Sequence, residues 1–392
     1  MSLDNISLVQ SNTPARPNMI AAANGGRERS LDSLRGIAAI LVLLSHATIA
    51  GLYKVDPIWD EIKWTPLRIL WSGHQAVVLF FVLSGFALTR MWGRIGFPRY
   101  DAYLASRIAR LYPPYLASLI LAVCTYHLLK ALGAHWDLGW MNVPNPVFGE
   151  NLNIPGNLLM IGVFNPSEIN PPIWSIIHEM RISIIFPLIY FSVWRLRKAT
   201  FLVFPIISLL IAYAISGIIP LTPLQAELLI SLHYSTFFAA GSFLAFHQDA
   251  ISKAFSALKG RWRILTWAVA LLLYAYPFDN PWTLSQRMIG DLAIGVGCVL
   301  IVALVLGSNE GRLLARFKFF GEISYSLYLN HYLVLSVALI LLYASFGSLT
   351  VWVVTVPTAI ILAWIMNILV EKPSIAASRL VRNAIISRKS DD

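Results

Sequence analysis

The 392-residue sequence predicts an all-α polytopic membrane protein. Hydrophobic residues make up 57% of it and charged residues only 13%, about half the share typical of soluble domains. Mean hydropathy is +0.66. The apolar residues fall into runs of about 20, the length of helix that crosses a bilayer. The net charge of +10 does not point to nucleic acid, because the basic residues gather at the ends of these runs, as membrane topology demands.

About ten such runs are expected to be transmembrane helices. They lie near 34–53, 74–93, 112–133, 174–194, 200–219, 226–246, 263–278, 286–307, 324–346 and 350–371. The seventh is short and ends at Tyr276-Pro277. Residues 1–30 read as a flexible polar tail and not as a signal peptide, since no short apolar region precedes a small-residue cleavage site. Residues 376–392 read as a second, basic tail. Cys124 and Cys298 both fall in apolar runs, so buried thiols are expected, with no disulfide framework and no metal spacing.

Charge sets the expected orientation. Arg90, Arg94, Arg99, Arg107 and Arg110 follow the second run, and Arg195, Arg197 and Lys198 the fourth. Basic groups also follow the sixth and eighth runs and fill the C-terminal tail, whereas residues 135–173 hold no Lys or Arg. Both termini are therefore expected on the cytoplasmic side. The 135–173 segment is rich in Trp and Asn (Trp136, Trp140, Asn142, Asn145, Asn151), a composition suited either to stacking on sugars or to an interfacial belt. Within it, Asn157–Phe164 is too short to span and is expected to re-enter the membrane or cap the core.

Several polar residues interrupt the apolar runs, where an ionisable group is costly and marks function by default. In the first run Arg35 and His46 are eleven residues apart, so they share one helix face about 16 Å apart along the axis. The bland alternative is that His46 only hydrogen-bonds a neighbouring helix. The fourth run opens at Pro171-Pro172 and carries Trp174, Ser175, His178, Glu179 and Arg181. Glu179 could orient His46 as the acid of a Ser-His-Asp triad does, or pair locally with Arg181 or a histidine. A zinc-protease reading of His178-Glu179 fails because position 182 is Ile182. The ninth run carries Tyr325, Tyr328, Asn330 and His331, with Ser324 as its expected N-cap. Asp291 and His233 are weaker candidates, and His74, His127 and His247 receive no role. The arginines from Arg90 to Arg110 make a candidate anion site, since guanidinium forks suit phosphates. No Walker A, dinucleotide-binding or G-x-S-x-G pattern is present; around Ser84 the flanking glycines are replaced by Val82 and Phe86.

Taken together, these stretches resemble membrane-bound acyltransferase family 3, whose members O-acylate cell-envelope polysaccharides and other exported glycans. Arg35 and His46 match its basic-residue, ten-residue, histidine signature. Leu79–Phe86, Arg107–Tyr115, Trp174–Glu179, Ser324–His331 and Glu371-Lys372-Pro373 are similar to its further motifs, with Ile176 in place of the usual Leu. The resemblance covers roughly 30–375, so residues 31–375 are expected to form one membrane acyltransferase domain without the extra hydrolase-like domain of some members.

The resemblance implies an acyl-CoA donor, expected to be acetyl-CoA, reached from the cytoplasm of a bacterium through its inner membrane, and a carbohydrate or other hydroxyl acceptor. It implies no metal. It gives His46 the role of base or acyl carrier, with Glu179 and Arg35 as catalytic partners. Arg107, Arg110 and Arg90 would bind the CoA phosphates. Trp174, Ser175, His331 and Tyr328 would line the substrate path. The competing reading is a transporter or flippase with a His/Glu/Arg proton relay.

Overall fold

The structure, a computed structural model, describes residues 25–51, 61, 64–95, 99–134, 157–160, 169–275, 283–308 and 314–388. Helix α1 (Gly25–Gly51) leads through a 3₁₀ turn (Pro66–Trp71) into α2 (Gly73–Ile95) and α3 (Tyr100–Ala131). After a 3₁₀ turn at Pro171–Ile173 come α4 (Trp174–Leu196), α5 (Thr200–Tyr213) and α6 (Pro223–Phe246). Then follow the short α7 (Gln248–Ser256), α8 (Gly260–Tyr274) and α9 (Leu284–Leu306). Helices α10 (Lys318–Glu322), α11 (Ser324–Met366) and α12 (Lys372–Arg388) complete the chain, and no strand occurs among the described residues.

Each of the ten apolar runs coincides with a helical segment, and seven stretches are long and apolar enough to cross a membrane. Two of those seven hold more than one run. Residues 171–217 break at Arg197, whose φ is +53°, and residues 324–387 break at Gly347, at φ +74°. Helix α8 has only 15 residues, consistent with the shortness of its run. Proline and capping chemistry set the entries: Thr222 and Gln225 form a capping box ahead of Pro223, and Thr283 and Gln286 form another for α9.

Several boundaries differ from the expected ones. Helix α1 starts at Gly25, inside the expected 1–30 tail. The expected basic tail from 376 is helical as α12 to Arg388 and packs on α3, with Arg99 donating to the carbonyls of Ile385 and Ile386. Helix α3 begins a dozen residues before Tyr112, because Pro113 and Pro114 sit inside it rather than at its mouth. Arg107 and Arg110 are thus helical residues and not members of a connection. Ser324 does not cap α11: its hydroxyl donates back to the Gly321 carbonyl at 2.9 Å. Cys298 is buried, but Cys124 is exposed on the outer face of α3. The amide- and Trp-rich residues at 135–156, with Trp136, Trp140, Asn142, Asn145 and Asn151, lie outside the described residues.

Helix α2 is the axle of the bundle, packing on α1, α6 and α9. Two glycines set its approach to α6. A Cβ at Gly85 would overlap the Phe238 carbonyl, and one at Gly241 would overlap the Val82 carbonyl. In lipid, where no hydrophobic force drives helices together, such close backbone contact is a main source of packing energy. A second close pair ties α1 to α10: a Cβ at Gly36 would strike the Gly321 amide, and one at Gly321 the Asp32 carbonyl. The outer faces of α5 and α8 expose Leu202, Leu209, Leu210, Ile264 and Leu272, as a lipid-facing surface should.

Candidate active site

Arg35 projects from α1 towards α2 and His46 towards α11, and both keep partial access, as do Phe80 and Ser84 on α2 and Trp174 and Glu179 on α4. On α2 the partly accessible positions Phe80, Ser84, Ala87 and Met91 recur at helical spacing on one face of an otherwise buried helix. Apolar grooves of about 360 Å³ (around Trp92 and Phe191) and 280 Å³ (around Leu333 and Leu362) lie away from these residues.

His46 meets His331 of α11, not Glu179. His331 Nε2 lies 3.1 Å from His46 Nδ1, with ring centroids 5.1 Å apart. Backbone carbonyls fix the protons. His331 Nδ1 faces the Leu327 carbonyl at 3.0 Å, so in the neutral ring it donates there and leaves Nε2 as a lone pair. His46 Nδ1 faces both the Val42 carbonyl at 3.1 Å and that lone pair, so it too carries the proton. The unprotonated Nε2 of His46 has no partner among the described residues, and Tyr332 packs edge-on against the ring at 5.2 Å.

Glu179 is engaged elsewhere. Arg107 donates to Glu179 Oε1 at 2.8 Å and to Ser183 Oγ at 3.1 Å, and Ser84 Oγ reaches the same carboxylate oxygen at 3.4 Å. Neither local alternative holds for Arg181, which pairs with Glu227 at 3.0 Å. The orienting role expected of Glu179 toward His46 is therefore replaced by an ion pair that ties α3 to α4. The reason is positional: the early start of α3 brings a guanidinium to the carboxylate.

Arg35 donates to Asp32 at 2.7 Å and to the Leu83 carbonyl at 3.0 Å, with a quarter of its side chain accessible. Arg110 is exposed and lies within electrostatic range of Arg107, Arg35, Glu371 and Glu179. No hydrogen bond or ion pair holds it among the described residues, so of the three arginines expected at phosphates it is the most available. Arg90 is buried, donating to Gln248 at 2.5 Å, which suits a tie between α2 and α7 better than a phosphate contact.

Ser175 and Tyr328 are buried and bonded to each other at 2.6 Å. Tyr328 donates onward to the Pro172 carbonyl at 3.0 Å, so both hydroxyl protons are committed to joining α4 to α11. Trp174 remains partly accessible and lies nearly parallel to His74, 6.3 Å away. Glu371 of the Glu-Lys-Pro motif is also buried, accepting from the Ser326 amide and hydroxyl at 3.2 and 2.6 Å, and the helix widens by a residue over Asn367–Glu371 just before Pro373.

Sequence reasoning left one cluster unused. His74 and His233, on α2 and α6, hold opposite oxygens of Asp291 on α9, at 2.6 and 3.2 Å. Its signal was depth: all three sit near the same end of apolar runs, and a buried carboxylate demands partners.

A family model described as "Acyltransferase domain" matches residues 28–368. The chain is 29% identical over 174 residues to "Protein 2 in picA locus" of Rhizobium radiobacter, covering 40% of this chain and 78% of that relative. No solved structure matches. An acyltransferase-domain match over nearly the whole chain, on a bundle helical throughout its described residues with seven stretches long and apolar enough to cross a membrane, means that this integral membrane protein is an acyltransferase and belongs to that family.

Proposed function

We propose that the protein moves an acyl group, expected to be acetyl, from cytoplasmic acyl-CoA to a hydroxyl of a glycan or other exported acceptor, across the inner membrane of a bacterium. The observation that carries this reading is the His46–His331 pair, which leaves the Nε2 of the partly accessible His46 without a partner among the described residues. Ten crossings with both termini cytoplasmic fit the charge pattern and belong to the same proposal.

Arg110 and Arg35, within electrostatic range of each other, take the phosphates of CoA. The extended pantetheine arm then reaches His46, about 16 Å further along α1. His46 acts at Nε2, either taking the acceptor hydroxyl proton or attacking the thioester carbon and carrying the acyl group itself. In both routes His46 becomes positively charged, and its Nδ1–H donates more strongly to His331 Nε2. A neutral imidazole thus does the stabilising work first expected of a carboxylate. Trp174 offers its face to the acceptor.

The test is release of free CoA from acetyl-CoA by the purified full-length protein. Slow release, abolished by His46→Ala in normally folded protein, supports the reading; release that survives the substitution overturns it. Rapid quench with labelled acetyl-CoA separates the two routes, because only the carrier route leaves label on the protein. Mass spectrometry of envelope glycans with and without the gene names the acceptor.

A further inference from the structure

The carrier route raises a chemical problem that the His46–His331 pair cannot solve. Once His46 Nε2 holds the acyl group, that nitrogen can no longer take a proton from the acceptor. A second base is needed, on the side from which the alcohol arrives.

The cluster around Asp291 has the form of such a base. Asp291 is buried, on α9, and both its oxygens are occupied by imidazoles. His74 Nε2 lies 2.6 Å from one and His233 Nε2 lies 3.2 Å from the other. Ser208 Oγ of α5 lies 2.6 Å from His233 Nδ1. With an ionised carboxylate, both Nε2–H groups donate to it and the Ser208 hydroxyl donates to His233 Nδ1, so every proton of the chain has one direction. The sole open end is Nδ1 of His74, which carries a lone pair and has no partner among the described residues. His233 is fully buried, whereas the His74 side chain is 29% accessible. The three groups do not converge as metal ligands, and no metal-holding group occurs among the described residues.

Position joins this base to the proposed centre. Gly73, the residue before His74, packs so closely on Ser45, the residue before His46, that a Cβ there would lie 2.6 Å from the serine oxygen. Trp174 lies face to face with His74. Its neighbour Ser175 is bonded to Tyr328, whose ring is 6.0 Å from that of His331. His74 and His46 therefore stand on adjoining turns of two helices that share a rim.

We propose that His74, positioned by Asp291, is a second general base that deprotonates the acceptor alcohol, while His46 carries the acyl group. This rests on the acyltransferase reading above. The acceptor O–H proton moves to His74 Nδ1 and the oxygen bonds to the acyl carbon. The bond from that carbon to His46 Nε2 breaks, and its electron pair returns to the imidazole. Asp291 balances the charge on His74 until the proton leaves to water. Asp291 and His233 are positioning residues. The arrangement is that of a Ser-His-Asp triad with the acceptor hydroxyl in the serine's place.

Two probes separate the halves of the reaction. Methyl glucoside is an alcohol that needs a base; hydroxylamine attacks an acyl-imidazole unaided. The full-length protein is given acetyl-CoA with each in turn, and the ratio of acetylated glucoside to acetohydroxamate is measured after subtracting the hydroxamate formed without protein. His74→Ala and His74→Gln are expected to lower this ratio about 100-fold, the usual worth of a general base. Added imidazole should restore part of it in His74→Ala but not in His74→Ala/Asp291→Asn, a readout that a merely structural Asp291 would not move. An unchanged ratio in folded His74→Ala and His74→Gln overturns the proposal. Hydroxamate formed faster than acetyl-CoA and hydroxylamine react without protein, and surviving His46→Ala, overturns instead the reading beneath it.

Discussion

His331 Nε2 lies 3.1 Å from His46 Nδ1, and each ring anchors its own Nδ1–H on the carbonyl one helical turn before it. In the proposed mechanism, two neutral imidazoles in series let His46 serve as a base. Protonation of His46 is shared with an acceptor already in place, which costs no reorganisation. His331→Ala is expected to slow acetyl-CoA turnover about 100-fold. The double variant His46→Ala/His331→Ala should be no slower than His46→Ala alone, because the pair acts as one unit. Turnover of the three variants by thiol release checks this.

Arg107 and Glu179 form a largely buried ion pair, with side-chain accessibilities of 7% and 16%. Removing one partner strands the other, at a cost of about 3–5 kcal/mol for a buried pair. Arg107→Met and Glu179→Gln should each lower the unfolding temperature in detergent, and Arg107→Met/Glu179→Gln should recover part of the loss. A double variant less stable than either single one would remove the pair from the account of the fold.

Arg110 has no hydrogen-bond or ion-pair partner among the described residues, so its loss should act on the donor and not on the fold. Arg110→Gln is expected to raise KM for acetyl-CoA about 10-fold or more, in line with one charge-assisted hydrogen bond of about 1.5–3 kcal/mol. Arg90→Gln, by contrast, removes the tie to Gln248 and should lower stability before it alters KM. Steady-state kinetics beside thermal unfolding separates the two.

Gly85 sits in the Leu79–Phe86 motif, and its lack of a side chain lets α2 meet the backbone of α6. The obstructing atom is a carbonyl oxygen, which cannot rotate away. Gly85→Ala is expected to destabilise the bundle by about 1–3 kcal/mol through overpacking, and Gly85→Leu to prevent assembly. Size-exclusion profiles of the detergent-extracted variants report both.

Helix content and the span of each apolar run were legible because the bilayer imposes one length and one composition on a crossing helix. The shared face of Arg35 and His46 was legible because helical period fixes it. Partners across the bundle were not. His46 and His331 are 285 positions apart, and nothing local to either names the other. The expectation that Glu179 would serve His46 borrowed a triad's logic without a distance. It failed because the third apolar run begins near 112 while the helix has run since Tyr100, hiding the guanidinium that claims the carboxylate. His74, at the mouth of its run, passed for an end residue. Its meaning emerges only with Asp291 and Trp174 brought beside it by two other elements.

The contact between Gly36 and Gly321 acts as a zero mark on a ruler. Each glycine stands ten residues before a histidine: Gly36 shares α1 with His46, and Gly321 lies in α10, one residue break before the α11 helix that carries His331. The equal count brings the two rings to the same height. A bulky substitution at either glycine would shift one scale against the other and part the imidazoles from a site some three turns away, without altering a single group of the proposed centre.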